Sequence, residues 1–262
     1  MKYALLGEHL SHSYSPLIHN EIFKDMKIMA SYELLEISKE EIPSTLEKLK
    51  NGLYNGFNVT IPYKKEVMKY LDEISDEALN IGSVNTIAMV DGKLVGYNTD
   101  YYGFYEELKH FNVDVFGANC YILGTGGASL AVKKALEDLG GRVYYVSRNP
   151  KGDMVSYEEL KNRKIDILVN TTPVGMYPNV GVSAVDDVVA RGAKYVLDII
   201  FNPRQTKLLA DANSKMDGLY MLVGQAIKAE EIWQNKKYNG SIDELLKRIE
   251  MKLWIILEDY FK

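Results

Sequence analysis

A lysine and an aspartate stand in polar segments that could bind a hydroxylated ligand and move a proton on it. Lys64 closes the segment Asn58-Val59-Thr60-Ile61-Pro62-Tyr63-Lys64, and Asp100 closes Asn98-Thr99-Asp100. A third segment, Val84-Asn85-Thr86, also sets an amide beside a hydroxyl. Amides and hydroxyls bind ligand hydroxyls, and a nearby ammonium can stabilise and then protonate an oxygen that gains negative charge. We therefore predict a site for a polyhydroxylated small molecule, with Lys64 and Asp100 left for proton transfer.

The alternative interpretation of Lys64 is a solvated surface charge. It lies in the run Lys64-Lys65-Glu66, and most lysines in such runs simply face water. The neighbouring amide and hydroxyl segments favour the catalytic role. In that role Lys64 protonates the developing oxyanion, takes the proton back in the reverse direction, and is oriented by Asp100.

A glycine-rich segment predicts a nucleotide site. Gly124-Thr125-Gly126-Gly127-Ala128-Ser129 follows a strand-like run and opens a helix-like one. Gly124 permits the tight turn, Gly126 lets the backbone approach a pyrophosphate, and the amides at the helix start attract the phosphates. The usual third glycine is Ser129 here, a small residue that still permits close packing. The alternative is a structural turn without a ligand.

The segment after the next predicted strand indicates which nucleotide binds. NAD sites carry an Asp or Glu about 20 residues past the first glycine, and this acid binds the ribose 2′-hydroxyl. This chain has Ser147-Arg148-Asn149-Pro150-Lys151 there. Arg148 can pair with a 2′-phosphate and stack on adenine, while Ser147, Asn149 and Lys151 can assist. We therefore predict NADP as the cofactor.

Composition excludes several classes of partner. An apolar fraction of 47% and a charged fraction of 26% over 262 residues are those of a folded globular protein with one or two domains. The net charge of -5 offers no broad positive field, so we expect no nucleic-acid partner. No apolar run reaches the roughly 18 residues that a membrane span requires, and the amino terminus turns polar too early for a signal peptide.

Cysteine and histidine usage suggests the compartment and argues against a metal. Cys120 is the single cysteine, so no intrachain disulfide can form, and a reducing cytoplasm fits best. The histidines show no metal-ligand spacing and no cysteine pair nearby, so we predict no metal site. They are His9, His12, His19 and His110. The sequence is compatible with either a monomer or a homodimer.

The elements that must position these residues fall into two α/β domains. We predict that residues 1–101 form a small substrate-binding domain and that residues 218–262 add helices to it. The predicted strands are 3–7, 32–37, 56–60, 86–90 and 93–97, the last two joined by an Asp91-Gly92 turn. Three helices are predicted in this domain. The first starts at Ser15, with Pro16 in its first position, and the second runs from a Ser38 N-cap, with Glu41 completing a capping box, to Leu49. The third covers residues 64–71.

Residues 102–217 have the strand and helix rhythm of a Rossmann-like, doubly wound parallel sheet. The predicted strands are 119–123, 142–147, 165–170 and 195–200, and the predicted helices are 101–111 and 128–139. A last helix over 242–260 carries a one-sided apolar stripe. We expect the stripe to pack on the first domain, and a dimer face is the alternative. Its apolar residues are Ile242, Leu245, Leu246, Ile249, Leu253, Ile256, Leu257 and Tyr260.

Another polar segment completes a family pattern. Ser11-His12-Ser13-Tyr14-Ser15-Pro16 stands at a predicted helix start, where serine hydroxyls suit a small carboxylate or simply cap the helix. With the segments above and Asp217-Gly218-Leu219-Tyr220-Met221-Leu222-Val223-Gly224-Gln225, the chain resembles the shikimate dehydrogenases from residue 3 to about residue 233. The motifs stand in the family's order.

The resemblance implies reversible, NADP-dependent reduction of 3-dehydroshikimate to shikimate in a cleft between the two domains. It also implies a role for each matching residue: Ser13 and Ser15 hold the substrate carboxylate; Thr60, Asn85, Asp100 and Gln225 hold its ring hydroxyls; Lys64 and Asp100 are the catalytic pair; Thr171, Ile199, Gly218 and Met221 line the nicotinamide; and Gly124, Gly126, Gly127 and Ala128 hold the phosphates.

One residue departs from the pattern, and two rival functions stay open. Phe201 stands where the family commonly has a tyrosine, whose hydroxyl is expected near the substrate carboxylate. A quinate or quinate/shikimate dehydrogenase would share Lys64 and Asp100, although Arg148 without an acidic neighbour argues against an NAD-using version. A non-catalytic NADP-binding regulator would be expected to lack the Lys and Asp pair, which is present.

Overall fold

The computed structural model describes residues 1–10 and 13–260, with side chains described up to residue 253. The chain divides into two compact units, Met1–Thr99 with Val223–Lys262, and Asp100–Leu222. The boundaries predicted from the sequence, at 101 and 217, lie near these but do not coincide with them. The second predicted boundary differs from the observed one because the helix Leu219–Gln234 runs across the observed boundary between Leu222 and Val223.

Each unit has one six-stranded sheet. The strands are β1 (Lys2–Gly7), β2 (Ser31–Glu36), β3 (Gly56–Val59), β4 (Glu73–Ile74), β5 (Thr86–Val90), β6 (Lys93–Tyr97), β7 (Asn119–Leu123), β8 (Arg142–Ser147), β9 (Val155–Ser156), β10 (Ile167–Asn170), β11 (Tyr195–Asp198) and β12 (Lys215–Asp217). The helices are α1 (Ser15–Met26), α2 (Ile42–Lys50), α3 (Asp76–Ile81), α4 (Thr99–His110), α5 (Gly127–Asp138), α6 (Tyr157–Leu160), α7 (Asp187–Gly192), α8 (Lys207–Asp211), α9 (Leu219–Gln234) and α10 (Ile242–Tyr260).

The sheet of the first unit is mixed, in the order β2-β1-β3-β5-β6-β4. Strand β1 runs parallel to β2 and β3, whereas β5 is antiparallel to both β3 and β6. The predicted hairpin is confirmed. Its turn residues have positive φ, 49° at Asp91 and 78° at Gly92, as the right-handed twist of a tight hairpin requires.

Three predicted helices of the first unit need correction. Helix α1 begins at Ser15, so Pro16 is its second residue. The capping box of Ser38 and Glu41 is present, but it starts a short 3-10 turn, Lys39–Glu41, before α2. The predicted helix 64–71 is wrong, since only Val67–Tyr70 is helical, again as a 3-10 turn. The Lys64 carbonyl instead accepts a hydrogen bond from Val84 N at 2.8 Å.

Helix α10 packs on α1, as its apolar stripe predicts. Leu245 and Ile249 are fully buried. Charged residues beside the stripe also reach α1: Arg248 bonds to Asp25, and Lys252 Nζ lies 2.6 Å from Glu21 Oε1. The stripe residues Ile256, Leu257 and Tyr260 lie outside the described side chains.

The sheet of the second unit has the order β12-β11-β10-β7-β8-β9, and every neighbouring pair is parallel. Alternate residues of β7 enter two different cores: Cys120 and Ile122 lie in one, Tyr121 and Leu123 in the other. Both faces are therefore covered, which confirms the doubly wound α/β prediction. Burial raises the pKa of the Cys120 thiol to about 12, so this cysteine behaves as a small apolar residue.

The second unit also contains elements that the sequence patterns did not predict, among them β9, α6, α7, α8 and β12. Each is short, and a single turn or bridge leaves too few residues for a periodic pattern. Across residues 1–10 and 13–260, no helix is both long enough and apolar enough to cross a membrane.

Asp198 is a buried carboxylate at the end of β11. It is 1% exposed, and Oδ1 accepts bonds from Asn170 Nδ2 at 3.0 Å and Ile200 N at 3.1 Å. Oδ2 accepts from the Thr206 hydroxyl at 2.7 Å. Burial nevertheless raises the pKa of Asp198 to about 6, against these hydrogen bonds. Asp198 thus ties together the segments that follow β10 and β11.

This burial makes stability depend on pH. The folded chain keeps the Asp198 proton to a higher pH than the unfolded chain does, so the stabilising contribution is present in acid and is lost as pH rises through about 6. We predict that the free energy of unfolding of the wild type falls by about 2 kcal/mol between about pH 4.5 and pH 7, relative to Asp198→Asn. Denaturant titrations of both proteins measure this, and a difference that stays constant with pH contradicts it.

Candidate active site

Four polar segments of the first unit meet at one edge of its sheet. Parallel strands β1 and β3 end there, leading to the loop of Ser13 and to the segment of Lys64. Strand β5 is antiparallel to β3, so its first residue, Thr86, lies at the same edge, paired with Asn58. Strand β6 ends there too, where Tyr97 pairs with Thr86 before Asn98 and Thr99. Topology therefore brings together segments that lie far apart in the sequence.

Buried hydrogen bonds join these segments. Asn58 Nδ2 donates to Thr86 Oγ1 at 3.0 Å and to the Asn85 carbonyl at 3.2 Å. Asn85 Oδ1 accepts from Thr99 N at 2.7 Å, and Asn85 Nδ2 donates to Thr99 Oγ1 at 3.0 Å. All four side chains are at most 4% exposed. Asn85 Nδ2 carries a second proton, which the bond to Thr99 does not use.

Helix α9 brings Gln225 to this network. Thr99 Oγ1 lies 3.4 Å from Gln225 Oε1, and the Gln225 side chain is half-buried. Gln225 therefore stands beside Asn85 and Thr99, although 126 residues separate it from Thr99 in the sequence.

The backbone of Lys64 is fixed next to the same network. Its carbonyl accepts from Val84 N, one residue before Asn85. The Lys64 side chain is half-buried, whereas that of Lys65 is exposed, and Glu66 pairs with Lys69 at 2.8 Å. This pattern distinguishes Lys64 from the solvated members of its charged run. Asp100 directly follows Thr99 at the start of α4 and is 8% exposed.

The serine loop after β1 is held by hydrogen bonds. Leu10 N donates to Glu36 Oε1 at 2.7 Å, and Ser13 N donates to the Leu10 carbonyl at 2.9 Å. The Ser13 hydroxyl lies 3.1 Å from the Ser15 hydroxyl, and Tyr14 is the N-cap of α1, with no side chain capping it. Ser13 Oγ also accepts from Ser15 N, at the first residue of α1, at 3.3 Å, so the arrangement is compatible both with helix capping and with binding of a carboxylate. Ser11 and His12 lie outside the described residues.

Thr60 directly follows β3, which ends at Val59. Its N–H donates to the Leu6 carbonyl at 2.9 Å, and its own carbonyl accepts from Tyr63 N at 2.9 Å. A side chain at Gly7 would come within 2.8 Å of Thr60 Cγ2, so glycine leaves room for the threonine. Thr60 is half-buried and lies two residues after Asn58.

Sequence reasoning gave no role to Tyr32, which supports the network. Its hydroxyl donates to Asn58 Oδ1 at 2.7 Å. Burial raises the pKa of Tyr32 well above its usual range, so this hydroxyl stays protonated and acts as a donor. The only signal in the sequence is a tyrosine in an alternating strand, which is equally typical of an ordinary core residue.

The carboxyl edge of the second sheet carries the predicted cofactor residues. Strands β7, β8, β10, β11 and β12 are parallel, so the segments that follow them lie along one edge. These segments hold the glycine loop, Ser147 to Lys151, Thr171, Ile199 and Gly218.

The glycine loop turns tightly between β7 and the start of α5. Gly124 has φ of 97°, and a side chain there would come within 2.8 Å of Thr172 Cγ2. Gly126 is the N-cap of α5, and a side chain there would meet nothing within 4 Å, so the space in front of the helix is open. The amides of Gly127 and Ala128 follow in its first turn. Ser129 is fully buried and donates to the Gly126 carbonyl at 2.6 Å, which shows how serine replaces the third glycine.

The predicted 2′-phosphate residues lie past the end of β8. Arg148, Asn149 and Lys151 are exposed, and Ser147 is half-buried. Asn149 N donates to Ser147 Oγ at 3.2 Å, which turns the chain after the strand. The segment thus offers two cations near a helix N-terminus.

The predicted nicotinamide residues are close-packed around the ends of β10 to β12. The Thr171 hydroxyl donates to the Leu123 carbonyl at 2.7 Å, which holds it beside the glycine loop. A side chain at Gly218 would come within 2.1 Å of the Ile199 carbonyl oxygen, so only glycine fits. Met221 is buried in the core that Ile199 packs against. Phe201 is half-buried in the loop after β11.

The described part of the chain contains no group of three or more His, Cys, Asp or Glu side chains placed to hold a metal ion.

The sequence of this chain is similar to those of known proteins. Residues 5–87 match the family model of the shikimate dehydrogenase substrate binding domain. The chain is 46% identical over 274 residues to the Clostridium beijerinckii protein named shikimate dehydrogenase (NADP(+)), with 99% of each chain covered.

Solved structures extend this similarity to the fold. Shikimate dehydrogenase 1 from Peptoclostridium difficile has a TM-score of 0.87 at 46% identity, covering 96% of this chain and 98% of that one. Shikimate 5-dehydrogenase from Thermus thermophilus, in complex with NADP(H) and shikimate, has a TM-score of 0.85 at 30% identity, covering 95% and 99%. The chain therefore belongs to the shikimate dehydrogenase family.

Proposed function

We propose that this protein is an NADP-dependent oxidoreductase that interconverts 3-dehydroshikimate and shikimate. The observation that carries the proposal is the sheet edge of the first unit, where hydroxyls and amides converge beside a half-buried lysine. The relatives' names and the NADP(H) and shikimate complex of the Thermus protein support the substrate and the cofactor. We assign substrate binding to the first unit and to Asp100, the residue that directly follows Thr99, and NADP binding to the rest of the second unit.

The proposed roles follow from what each side chain offers. Ser13 and Ser15 hold the carboxylate with two neighbouring hydroxyls. Thr60, Asn85, Asp100 and Gln225 hold the ring hydroxyls, which need both donors and acceptors. A site built to pair hydroxyls rejects analogues that lack them, because its own polar groups would then be left unpaired.

Proton transfer falls to Lys64, with Asp100 orienting it. When bound, NADPH supplies a hydride to the ketone carbon, and NADP⁺ takes it back in the reverse direction. During reduction the Lys64 ammonium stabilises the negative charge on the substrate oxygen and gives it a proton. During oxidation neutral Lys64 accepts the hydroxyl proton, so each turnover moves one hydride and one proton.

The glycine loop and the residues after β8 fit the cofactor. The open space at Gly126 and the amides at the start of α5 suit a pyrophosphate. Arg148 and Lys151, with Ser147 and Asn149, suit a 2′-phosphate. A lone buried thiol fits a cytoplasmic enzyme. We propose that it works as a monomer or homodimer.

A panel of wild-type reactions tests the function. Shikimate and quinate are each mixed with NADP⁺ and NAD⁺, and absorbance at the nicotinamide band is followed. We expect the largest kcat/KM for shikimate with NADP⁺. No signal with any pair would overturn the proposal in favour of a binding protein, and faster turnover of quinate would reassign the substrate.

Replacing Lys64 separates chemistry from binding. We predict that Lys64→Met lowers kcat by about 10²- to 10⁴-fold, the usual contribution of a positioned acid or base, while shikimate still binds through its carboxylate and hydroxyls. Lys65→Met, at the exposed neighbour, is the matched control and should keep the wild-type kcat. Equal kcat in both variants would mean that Lys64 is only a surface charge.

Replacing Arg148 tests the choice of cofactor. The 2′-phosphate is the only group that distinguishes NADP from NAD, so Arg148→Ala should raise the KM for NADP about tenfold to a hundredfold and change NAD kinetics far less. Arg142→Ala removes an arginine at the opposite end of β8 and is the control. Equal losses for NADP and NAD, or a wild type that prefers NAD, would refute the assignment of Arg148.

A further inference from the structure

A buried histidine and glutamate lie behind the proposed substrate residues. His19 on α1 and Glu230 on α9 are both fully buried, and His19 Nδ1 lies 2.6 Å from Glu230 Oε1. The other Glu230 oxygen accepts from Gln234 Nε2 at 3.2 Å, and Gln234 in turn donates to the Tyr3 hydroxyl at 2.8 Å. The contact thus joins two helices whose contacting residues are 211 positions apart.

Each partner belongs to a helix that carries a proposed substrate residue. Ser15 lies four residues before His19, on the same face of α1 and about one turn away. Gln225 lies five residues before Glu230 on α9. A shift of either helix at the His19 contact would therefore move Ser15 relative to Gln225.

The His19 ring also reaches the polar network. It stacks on Tyr32, with ring centroids 4.0 Å apart and planes inclined by 11°. The Tyr32 hydroxyl donates to Asn58, and Asn58 donates to the Asn85 carbonyl and to Thr86. A continuous series of contacts thus runs from Glu230 to Asn85.

A contribution to folding stability does not by itself explain a buried pair of His19 and Glu230. Removing a carboxylate and an imidazole from water costs several kcal/mol, and the attraction between them often only offsets this cost. The pair is also incompletely satisfied, because His19 Nε2 is the one buried side-chain nitrogen or oxygen without a hydrogen-bond partner among the described residues. What the contact does supply is a fixed geometry.

We propose that His19 and Glu230 are positioning residues of the substrate site. Their contact holds α1 against α9 and so sets the distance between Ser15 and Gln225, and the His19 ring holds Tyr32 where it orients Asn58 and Asn85. This inference rests on the proposed function, since it assigns substrate contacts to Ser15, Asn85 and Gln225. His19 and Glu230 act through these residues and do not touch the reacting atoms.

Variants that break the contact between His19 and Glu230 should weaken substrate binding and leave kcat and NADP binding almost unchanged. Glu230→Leu should raise the KM for shikimate about tenfold, the size of one well-placed hydrogen bond, with kcat changed less than about threefold. The KM for NADP should not change. Glu230→Gln keeps an acceptor for His19 Nδ1 and should restore most of the affinity. Tyr32→Phe keeps the stacked ring, removes the bond to Asn58, and should also raise the shikimate KM.

Lys252→Met is the matched control. Lys252 also pairs with α1, at Glu21, but on the side that faces α10. Its loss can lower stability and should leave the shikimate KM unchanged. If Glu230→Leu does not fold, His19→Leu, which breaks the same contact from α1, carries the test. A wild-type KM in the folded variant that breaks the contact, Glu230→Leu or His19→Leu, or an equal rise in Lys252→Met, would overturn the proposal.

A structural readout separates this inference from the proposed function. The side-chain amide signals of Asn58 and Asn85 in ¹⁵N NMR spectra should shift in Glu230→Leu, or in His19→Leu if Glu230→Leu does not fold, and not in Lys252→Met, whatever the substrate is. Unmoved amide signals in the folded variant would refute the positioning role. Moved signals in a protein that does not oxidise shikimate would refute the proposed function alone.

Discussion

The first unit depends on the hydrogen bonds that Asn58, Asn85 and Thr99 make across the end of its sheet. An unpaired amide buried at this depth would cost about 1–3 kcal/mol, so each segment is held in register by its neighbours. The same bonds place the Lys64 and Thr60 segment beside the ends of β5 and β6. The polar groups, which would weaken an apolar core if unpaired, here hydrogen-bond to one another.

The second unit is built on a parallel sheet, whereas the sheet of the first unit is mixed. Six strands with parallel neighbours send their carboxyl ends to one edge, where a glycine-rich loop leads into the amides at the start of α5. The close approach of Gly218 to Ile199 and the buried Asp198 hold the remaining loops of that edge in place. Under the proposed function, the sheet edge of the first unit binds the substrate hydroxyls and that of the second binds the cofactor phosphates.

Local chemistry explains which features the sequence predicts. The Asp91-Gly92 hairpin, the strand before Gly124 and the capping box at Ser38 each depend on neighbouring residues, and all three are present. The prediction of a helix from Lys64 is wrong because the Lys64 carbonyl accepts a hydrogen bond from Val84 N, which lies far away in the sequence. His19 and Glu230 look like an ordinary helical histidine and a surface acid, and only the packing of α1 on α9 brings them together.

The claim that the edge around Asn85 and Lys64 binds the substrate is tested most directly by a crystal structure of the protein with shikimate and NADP⁺ bound. We predict a shikimate carboxylate within hydrogen-bond distance of the Ser13 and Ser15 hydroxyls, ring hydroxyls on Asn85 and Gln225, and Lys64 Nζ on the hydroxyl that is oxidised. Shikimate bound away from this edge, or Lys64 turned to solvent with substrate in place, would contradict the claim.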